Sequence, residues 1–336
     1  MDLAKVEYRI RVKTPNGNIF TLDQALTDSC NLEENDGEVA ARLSFTVKNE
    51  KVGNAWLHKQ LYVGNFVYVH AKAGGAWQEV FRGRIYDWIT SAAKMNVTII
   101  AFDMNYRYQV SEVNIYRRKN ETGASLAKRL IARWRNRVIK KLDGPHKKLP
   151  AKAYDNKLTV TEIIQDTITE SKKKGDDDYV IRCIEGEIAV IRAGTNTTVY
   201  ILSEKDYLEE LEDHHSIRKL VTRVRIYRTN DKDKNAKAKL TETLDGKTEY
   251  GVLQRLVYTD GKNLSEARKE AKQILKDEGK VEKTRELNHP DVPFIKKGDL
   301  VMVHGGTVGS AKNPAKLIVK SINHDIKNLS MKIVFK

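Results

Sequence analysis

Hydrophobic and polar residues alternate with a period of two at the start of the chain. Val6, Tyr8, Ile10 and Val12 are separated by Glu7, Arg9 and Arg11, the pattern of a strand with one face buried and the other in water. Pro15-Asn16-Gly17-Asn18 supplies a turn, and Ile19-Phe20 resumes the apolar run. Leu43, Phe45 and Val47 alternate with Ser44, Thr46 and Lys48. A longer strand is predicted over 61–71, with a turn at Gly74-Gly75 and a return over 77–88 through Phe81-Arg82-Gly83-Arg84. Residues 97–102 close the set. Short strands joined by turns predict an antiparallel sheet or barrel.

The period then changes. Leu126, Leu130, Trp134 and Val138 recur at steps of four, with Ala127 and Ile131 beside them. That stripe predicts an amphipathic helix over 123–142, stopped by Asp143-Gly144-Pro145. Thr159 and Glu162 have capping-box spacing and open a second helix, with Ile163, Ile164 and Ile168 on its inner face. Strands resume at 179–184 and 188–192 around Glu185-Gly186-Glu187, then at 199–202 and 221–227. In the last of these, Thr222, Val224 and Ile226 face away from Arg223 and Arg225. Residues 229–248, polar and rich in Lys and Asp, read as a mobile loop. Asn263 and Glu266 cap a third helix over 263–277, with Ala267, Ala271, Ile274 and Leu275 inward. Strands near 300–304, 317–323 and 330–335 complete the chain.

The fold class is therefore α+β: a β-rich multidomain chain with two β-rich modules and intervening helices. The first module is expected over 1–110, a basic helical α/β insert over 111–178, and the second module over 179–336, with strands free to interleave between modules.

The length of 336 residues suits two or three domains. No apolar run is long enough for a helical membrane span, and no apolar stretch of signal-peptide type opens the chain, so synthesis in the cytosol and no membrane anchor are expected. Cys30 and Cys183 make neither a disulfide framework nor a ligand cluster and are expected as small core or edge residues. The net charge is +15, and residues 116–148 alone hold twelve Lys and Arg against two acids. The partner of that one segment is the question, more than the partner of the whole chain.

No motif carries chemistry. Gly305-Gly306-Thr307-Val308-Gly309 follows a strand with no helix start after it, so it reads as a hairpin loop, not a phosphate cradle. Asp213-His214-His215 has no second ligand cluster near it and reads as an exposed polar turn. Asp176-Asp177-Asp178 lacks the alternating ligands and distal Glu of a calcium loop. No nucleophile elbow is present, and carboxylate pairs for glycoside cleavage would arise by chance among this many acids. No catalytic residue, metal ligand or cofactor is expected.

The basic segment offers Arg129, Arg133, Arg135, Arg137, Lys140 and Lys141 around the apolar stripe. These six are the candidate partner interface. Trp134 lies on the stripe with Leu130 and so is withdrawn from base stacking, which weighs against a nucleic-acid reader. An acidic protein neighbour fits the same charges.

Four stretches carry a resemblance. They are Gly64-Asn65-Phe66-Val67-Tyr68-Val69 with Val80-Phe81-Arg82-Gly83-Arg84-Ile85; 97–103 with Tyr106 and the linker at Tyr116; Leu220-Val221-Thr222-Arg223-Val224-Arg225-Ile226-Tyr227; and Gly298-Asp299-Leu300-Val301-Met302-Val303 with Ile322-Asn323-His324 and Ser330-Met331-Lys332-Ile333. In this order the chain resembles the baseplate hub proteins of contractile-tailed phages and phage-tail-like particles. The resemblance spans nearly the whole chain, though segment 116–148 is more basic than the family pattern and the loop between the two helices is longer. It implies a non-enzymatic structural protein with two tube-like antiparallel β-barrel modules. It also implies a homotrimeric ring joining the tail tube protein to the spike protein, beside the tape measure and other baseplate proteins. The ring's lumen would be a path for DNA, and the chain would reside in a virion tail or tail-like particle. A nucleic-acid-binding protein and a tail-associated cell-wall hydrolase are the alternatives.

Overall fold

The computed structural model describes residues 5–22, 26–52, 54–91, 93–134, 137–155, 157–203, 210–228, 238–259, 263–305, 308–310 and 312–336. The chain divides into two compact units, Met1–Leu211 with Glu286–Lys336, and Glu212–Arg285. The class is α+β and rich in strands.

The first unit is organised by one long sheet. Its strands run in the order Ile19–Thr21, Val6–Lys13, Phe66–Ala73, Gln78–Ser91, Asn96–Asp103, Arg42–Lys48, Leu26–Glu34, Asn313–Asp325 and Ser330–Phe335. Neighbours along this path are antiparallel. Leu300–His304 adds to Asn313–Asp325 and also pairs in parallel with Tyr200–Ser203. The path is open, and no closed barrel forms among the described strands. The join between the two ends of the sequence is the ladder Ile322↔Glu34, Asn323↔Glu33, His324↔Leu32 and Asp325↔Asn31. N-terminal and C-terminal strands thus share one sheet over two apolar cores. One core gathers Phe45, Val67, Val69, Ile85 and Ile99. The other gathers Leu287, Ile295, Val301, Ile322 and Ile333.

Local chemistry accounts for these elements. Inward positions such as Val12, Val67, Ala101 and Leu43 are fully buried while their chain neighbours face out. Gly83 marks a close approach between strands: a Cβ there would lie 2.2 Å from the carbonyl oxygen of Phe102. Glu185 and Gly186 hold φ of 51° and 83°, the left-handed pair that a two-residue hairpin between Tyr179–Ile184 and Glu187–Arg192 requires.

A helical layer follows the first strands. The Val160–Lys173 helix carries the expected capping box of Thr159 and Glu162. It packs with the Gly123–Ile131 helix around Tyr108, Leu126, Leu130, Ile163, Ile164 and Ile168. The predicted helix over 123–142 ends early. Its α-helical ladder stops at Ile131, and Arg133 and Trp134 donate to the carbonyls of Leu130 and Ile131 in a tightening turn. Val138, expected on the buried stripe, is 62% exposed. Ile139–Leu142 is instead a strand parallel to Glu187–Arg192. The reason is legible afterwards: Arg133, Arg135 and Arg137 crowd like charges where a helix would continue, and β-branched Val138 and Ile139 suit a ladder.

In the second unit Arg223–Arg228 lies between Lys239–Asp245, antiparallel, and Gln254–Tyr258, parallel. The Leu264–Glu278 helix, capped by Asn263 and Glu266, packs on this sheet. Val224, Ile226, Val257, Ala267 and Ala271 form the core, the two alanines being small enough for close contact. The loop expected over 229–248 is corrected here. Residues 229–237 lie outside the described residues, but Lys239–Asp245 is a strand, tied in by Arg223 Nε to Asp245 Oδ1 at 2.5 Å.

Candidate functional site

The basic segment does not present its cations on one helix. Arg129 forks onto Glu121, with Nε 3.1 Å from Oε1 and Nη2 2.8 Å from Oε2, and also reaches the Tyr116 carbonyl at 2.7 Å. Burial works to raise the Glu121 carboxyl, but the Arg129 fork and the Arg118 backbone N–H hold it below its ordinary range. Arg133 donates to the Asn114 carbonyl at 3.0 Å. Arg137 meets Glu187 at 2.9 Å, Lys140 meets Glu185 at 2.5 Å, and Lys141 meets Asp143 at 3.3 Å. Arg135 lies outside the described residues. Five of the six candidates are therefore engaged within the chain, some holding the turn and strand that replaced the helix. Lys119, Lys128, Lys147 and Lys148 are exposed instead, with no side-chain ion pair among the described residues. Trp134 is half-buried, edge-on to Tyr108 at 5.4 Å.

One cation of the segment is fully buried. Arg117 donates through Nε to the Pro150 carbonyl at 2.9 Å, through Nη1 to the Tyr154 hydroxyl at 2.9 Å, and through Nη2 to Glu170 at 2.6 Å. Lys152 joins Asp166 at 2.7 Å and Glu170 at 2.9 Å, and Tyr154 donates to Asp166 at 2.7 Å. Charge density here serves the interior. The period-two register of Ile115 and Arg117 on the strand Ile115–Arg117 was the available signal.

A second buried node ties the two ends of the sequence. His324 Nδ1 lies 2.6 Å from Asp291 Oδ1, its Nε2 lies 3.1 Å from the Ile295 carbonyl, and the Tyr8 hydroxyl donates to Asp291 Oδ2. A carbonyl accepts only, so Nε2 carries a proton; with Nδ1 donating to a carboxylate the ring is an imidazolium. Burial opposes that charge, but Asp291 and the Ile295 carbonyl raise the His324 pKa above the ordinary value.

A cavity of about 610 Å³ lies within the first unit, between the outer sheet and the Glu185-Gly186 turn. Its charged lining is satisfied by the chain. Arg182 contacts Asp299 at 2.6 Å, Lys296 donates to the Val80 carbonyl at 2.9 Å, and Lys297 donates to the Asn35 and Glu38 carbonyls. Asp103 accepts from the Ala41 and Asn105 N–H groups, yet burial pushes its carboxyl up to about 7. Cys30 and Cys183 are pushed up to about 12 by burial, so neither is poised as a nucleophile. His214 and His215 sit on the strand Glu210–Ser216, not a turn, with His215 3.2 Å from Asp213. No cluster of three or more His, Cys, Asp or Glu is placed to hold a metal among the described residues. No helix is long and apolar enough to cross a membrane among them.

The first unit is thus an open antiparallel sheet shared by strands from both ends of the sequence, with a capped helical layer, and this fold is shared with solved tail proteins. The chain superposes on the 43 kDa tail protein of prophage MuSo2 from Shewanella oneidensis with a TM-score of 0.66 at 14% identity, covering 98% of each chain. It superposes on a tail protein from Neisseria meningitidis with a TM-score of 0.67 at 14% identity, covering 98% of this chain and 96% of that one. A third similar structure is the Escherichia coli c3393 protein, a component of the type VI secretion system described as similar to the T4 tail proteins gp27 and gp5, with a TM-score of 0.50 at 9% identity over 93% of this chain and 73% of that one. No curated protein sequence matches. The YQBQ-like family model matches residues 31–336, and the chain belongs to that family.

Proposed function

We propose that this chain is the structural hub of a contractile-tail baseplate, forming a trimeric ring that joins the tail tube to the central spike. The observation that carries the reading is coverage: nearly the whole chain, not one module, follows the fold of tail proteins whose own lengths are almost fully covered. A hub transmits load and needs rigid sheets with large subunit contacts, not titrating groups held ready for a substrate. The inward pairing of Arg117, Arg182, His324 and Lys297 suits that requirement. Its partners in this role are two further copies, the tube and spike proteins, the tape measure and neighbouring baseplate proteins, with DNA free to pass the lumen. The role is non-enzymatic and its place is the tail of a virion or tail-like particle. Arg129, Arg133, Arg135, Arg137, Lys140 and Lys141 remain candidates for a contact surface once assembled. Light scattering on the purified chain, alone and mixed with tube and spike proteins, tests this. Three times the chain mass is expected. A strict monomer in every mixture would overturn it.

A further inference from the structure

The outward face of the first sheet carries a pattern that the hub reading does not use. Lys13 stands opposite Phe66, Phe66 opposite Arg84, Arg84 opposite Phe102, and Phe102 opposite Arg42. Cation and aromatic ring therefore alternate in one row across five strands, directly over a row of buried inward neighbours such as Val12, Val67, Ala101 and Leu43. A second row repeats it, with Arg11 opposite Tyr68 and Tyr68 opposite Arg82, and the open face ends at Arg82, which donates to the Glu185 carbonyl at 3.1 Å. The rings hold the cations in place. The Arg84 guanidinium lies 4.2 Å from the Phe66 ring centre, Arg9 lies 4.4 Å from Trp77, and Arg82 lies 5.5 Å from Tyr68.

Most carboxylates on this face are already taken, and Asp87, exposed opposite Ile100, is the one left unpaired among the described residues of these strands against three unpaired cations. Glu7 pairs with Lys72, Glu79 with Arg82 and Glu33 with Arg42. Arg11, Lys13 and Arg84 have no carboxylate partner among the described residues. Burial pulls His70 below its ordinary range, Glu79 works against that, and Arg11, Arg9 and Arg82 lower it further. An occupant must therefore bring anions.

We infer that this face docks an acidic surface of a partner protein. The Arg84 guanidinium lies over the Phe66 ring and gives one N–H, from Nη1, to the Gly64 carbonyl at 3.5 Å, which leaves its other N–H groups for carboxylates. The same stacking covers the rings of Phe66, Trp77 and Tyr68, so bases have little open aromatic face to lie on, which disfavours a nucleic-acid strand. Arginine and aromatic side chains together are also the composition of protein–protein contact centres. Tyr86, 40% exposed and 4.5 Å from Tyr106, extends the apolar part of the face.

The test uses the full chain and a fluorescent poly-L-glutamate peptide as the acidic probe, with an oligothymidylate as competitor. Binding of the peptide is expected to weaken about tenfold in Arg11→Gln/Arg84→Gln. Arg11→Lys/Arg84→Lys, which keeps charge but not the flat fork, should fall between. Lys147→Gln/Lys148→Gln, on another exposed basic site, should change it less than about twofold. Circular dichroism melting confirms that each variant folds. Equal loss in the Lys147/Lys148 variant, no loss in the Arg11/Arg84 variant, or no binding at all would overturn the proposal. Tighter binding of the oligothymidylate with the same variant dependence would overturn it in favour of nucleic acid. Self-association abolished by the same variant would overturn it in favour of a second copy.

Discussion

His324 and Asp291 form a buried ion pair with 2.6 Å between Nδ1 and Oδ1, and Tyr8 from the opposite end of the sequence closes on the same carboxylate. The pair sits beside the ladder that joins Leu26–Glu34 to Asn313–Asp325. It fixes where two halves of the chain share one sheet.

The His324 pKa is raised in the fold, so the folded state holds this proton more tightly than the unfolded chain does. That contribution is complete below the unfolded histidine value and is lost as pH rises through the higher folded value. Urea unfolding across this range should show stability falling with pH, and His324→Phe should flatten the dependence. The substitution should also cost about 3 kcal/mol below neutrality, because Asp291 keeps its charge without its partner.

Asp103 titrates in the opposite chemical sense but with the same sign for stability. Its carboxyl is pushed from 3.8 up to about 7 by burial, so the folded state binds the proton more tightly. Stability should fall as pH rises between those values. Asp103→Asn should remove that slope in chemical-denaturation curves taken across the same window.

Arg117 is fully buried and bonded to Glu170, Tyr154 and the Pro150 carbonyl. Arg117→Met should destabilise the first unit by about 2–3 kcal/mol, since it leaves Glu170 with Lys152 as its remaining cation and takes the donor from the Pro150 carbonyl and the Tyr154 hydroxyl. A double-mutant cycle with Glu170→Gln should return a coupling of roughly 1–3 kcal/mol.

Gly83→Ala should cost about 1–3 kcal/mol in thermal melting, since the added Cβ would lie 2.2 Å from a backbone oxygen and 2.6 Å from Phe81 Cζ. No flexible side-chain end can yield on the Phe102 side.

Neutralising Arg129, Arg133 and Arg137 to Gln should change stability by no more than about 1 kcal/mol per residue, as these pairs are part-exposed. Assembly into particles should fall if the segment is also a partner contact. Unchanged assembly would restrict these residues to the intramolecular ties already described.

Local patterns were readable where one residue's neighbours in sequence are also its neighbours in space. The alternation at Val6–Lys13 and the capping boxes of Thr159 with Glu162 and Asn263 with Glu266 became a strand and two helices at those places. The stripe Leu126, Leu130, Trp134, Val138 extends past the helix end at Ile131, because a four-residue step says nothing about the ladder that captures Ile139–Leu142. Ladder partners separated by most of the chain, such as His324 and Leu32, leave no periodic trace at all. Charge in the sequence does not tell a solvated arginine from Arg129 forked on Glu121 or Arg117 sealed in a core. The cation–aromatic rows were equally hidden, since Lys13, Phe66, Arg84, Phe102 and Arg42 meet only through strand register.

The most direct measurement is the copy number of this chain in purified tails or tail-like particles, by quantitative mass spectrometry against the spike protein, with labelled-antibody electron microscopy to place it. The account predicts three copies per particle at the tip of the tail tube. Absence from the particle, or copies spread along the tube, would contradict it.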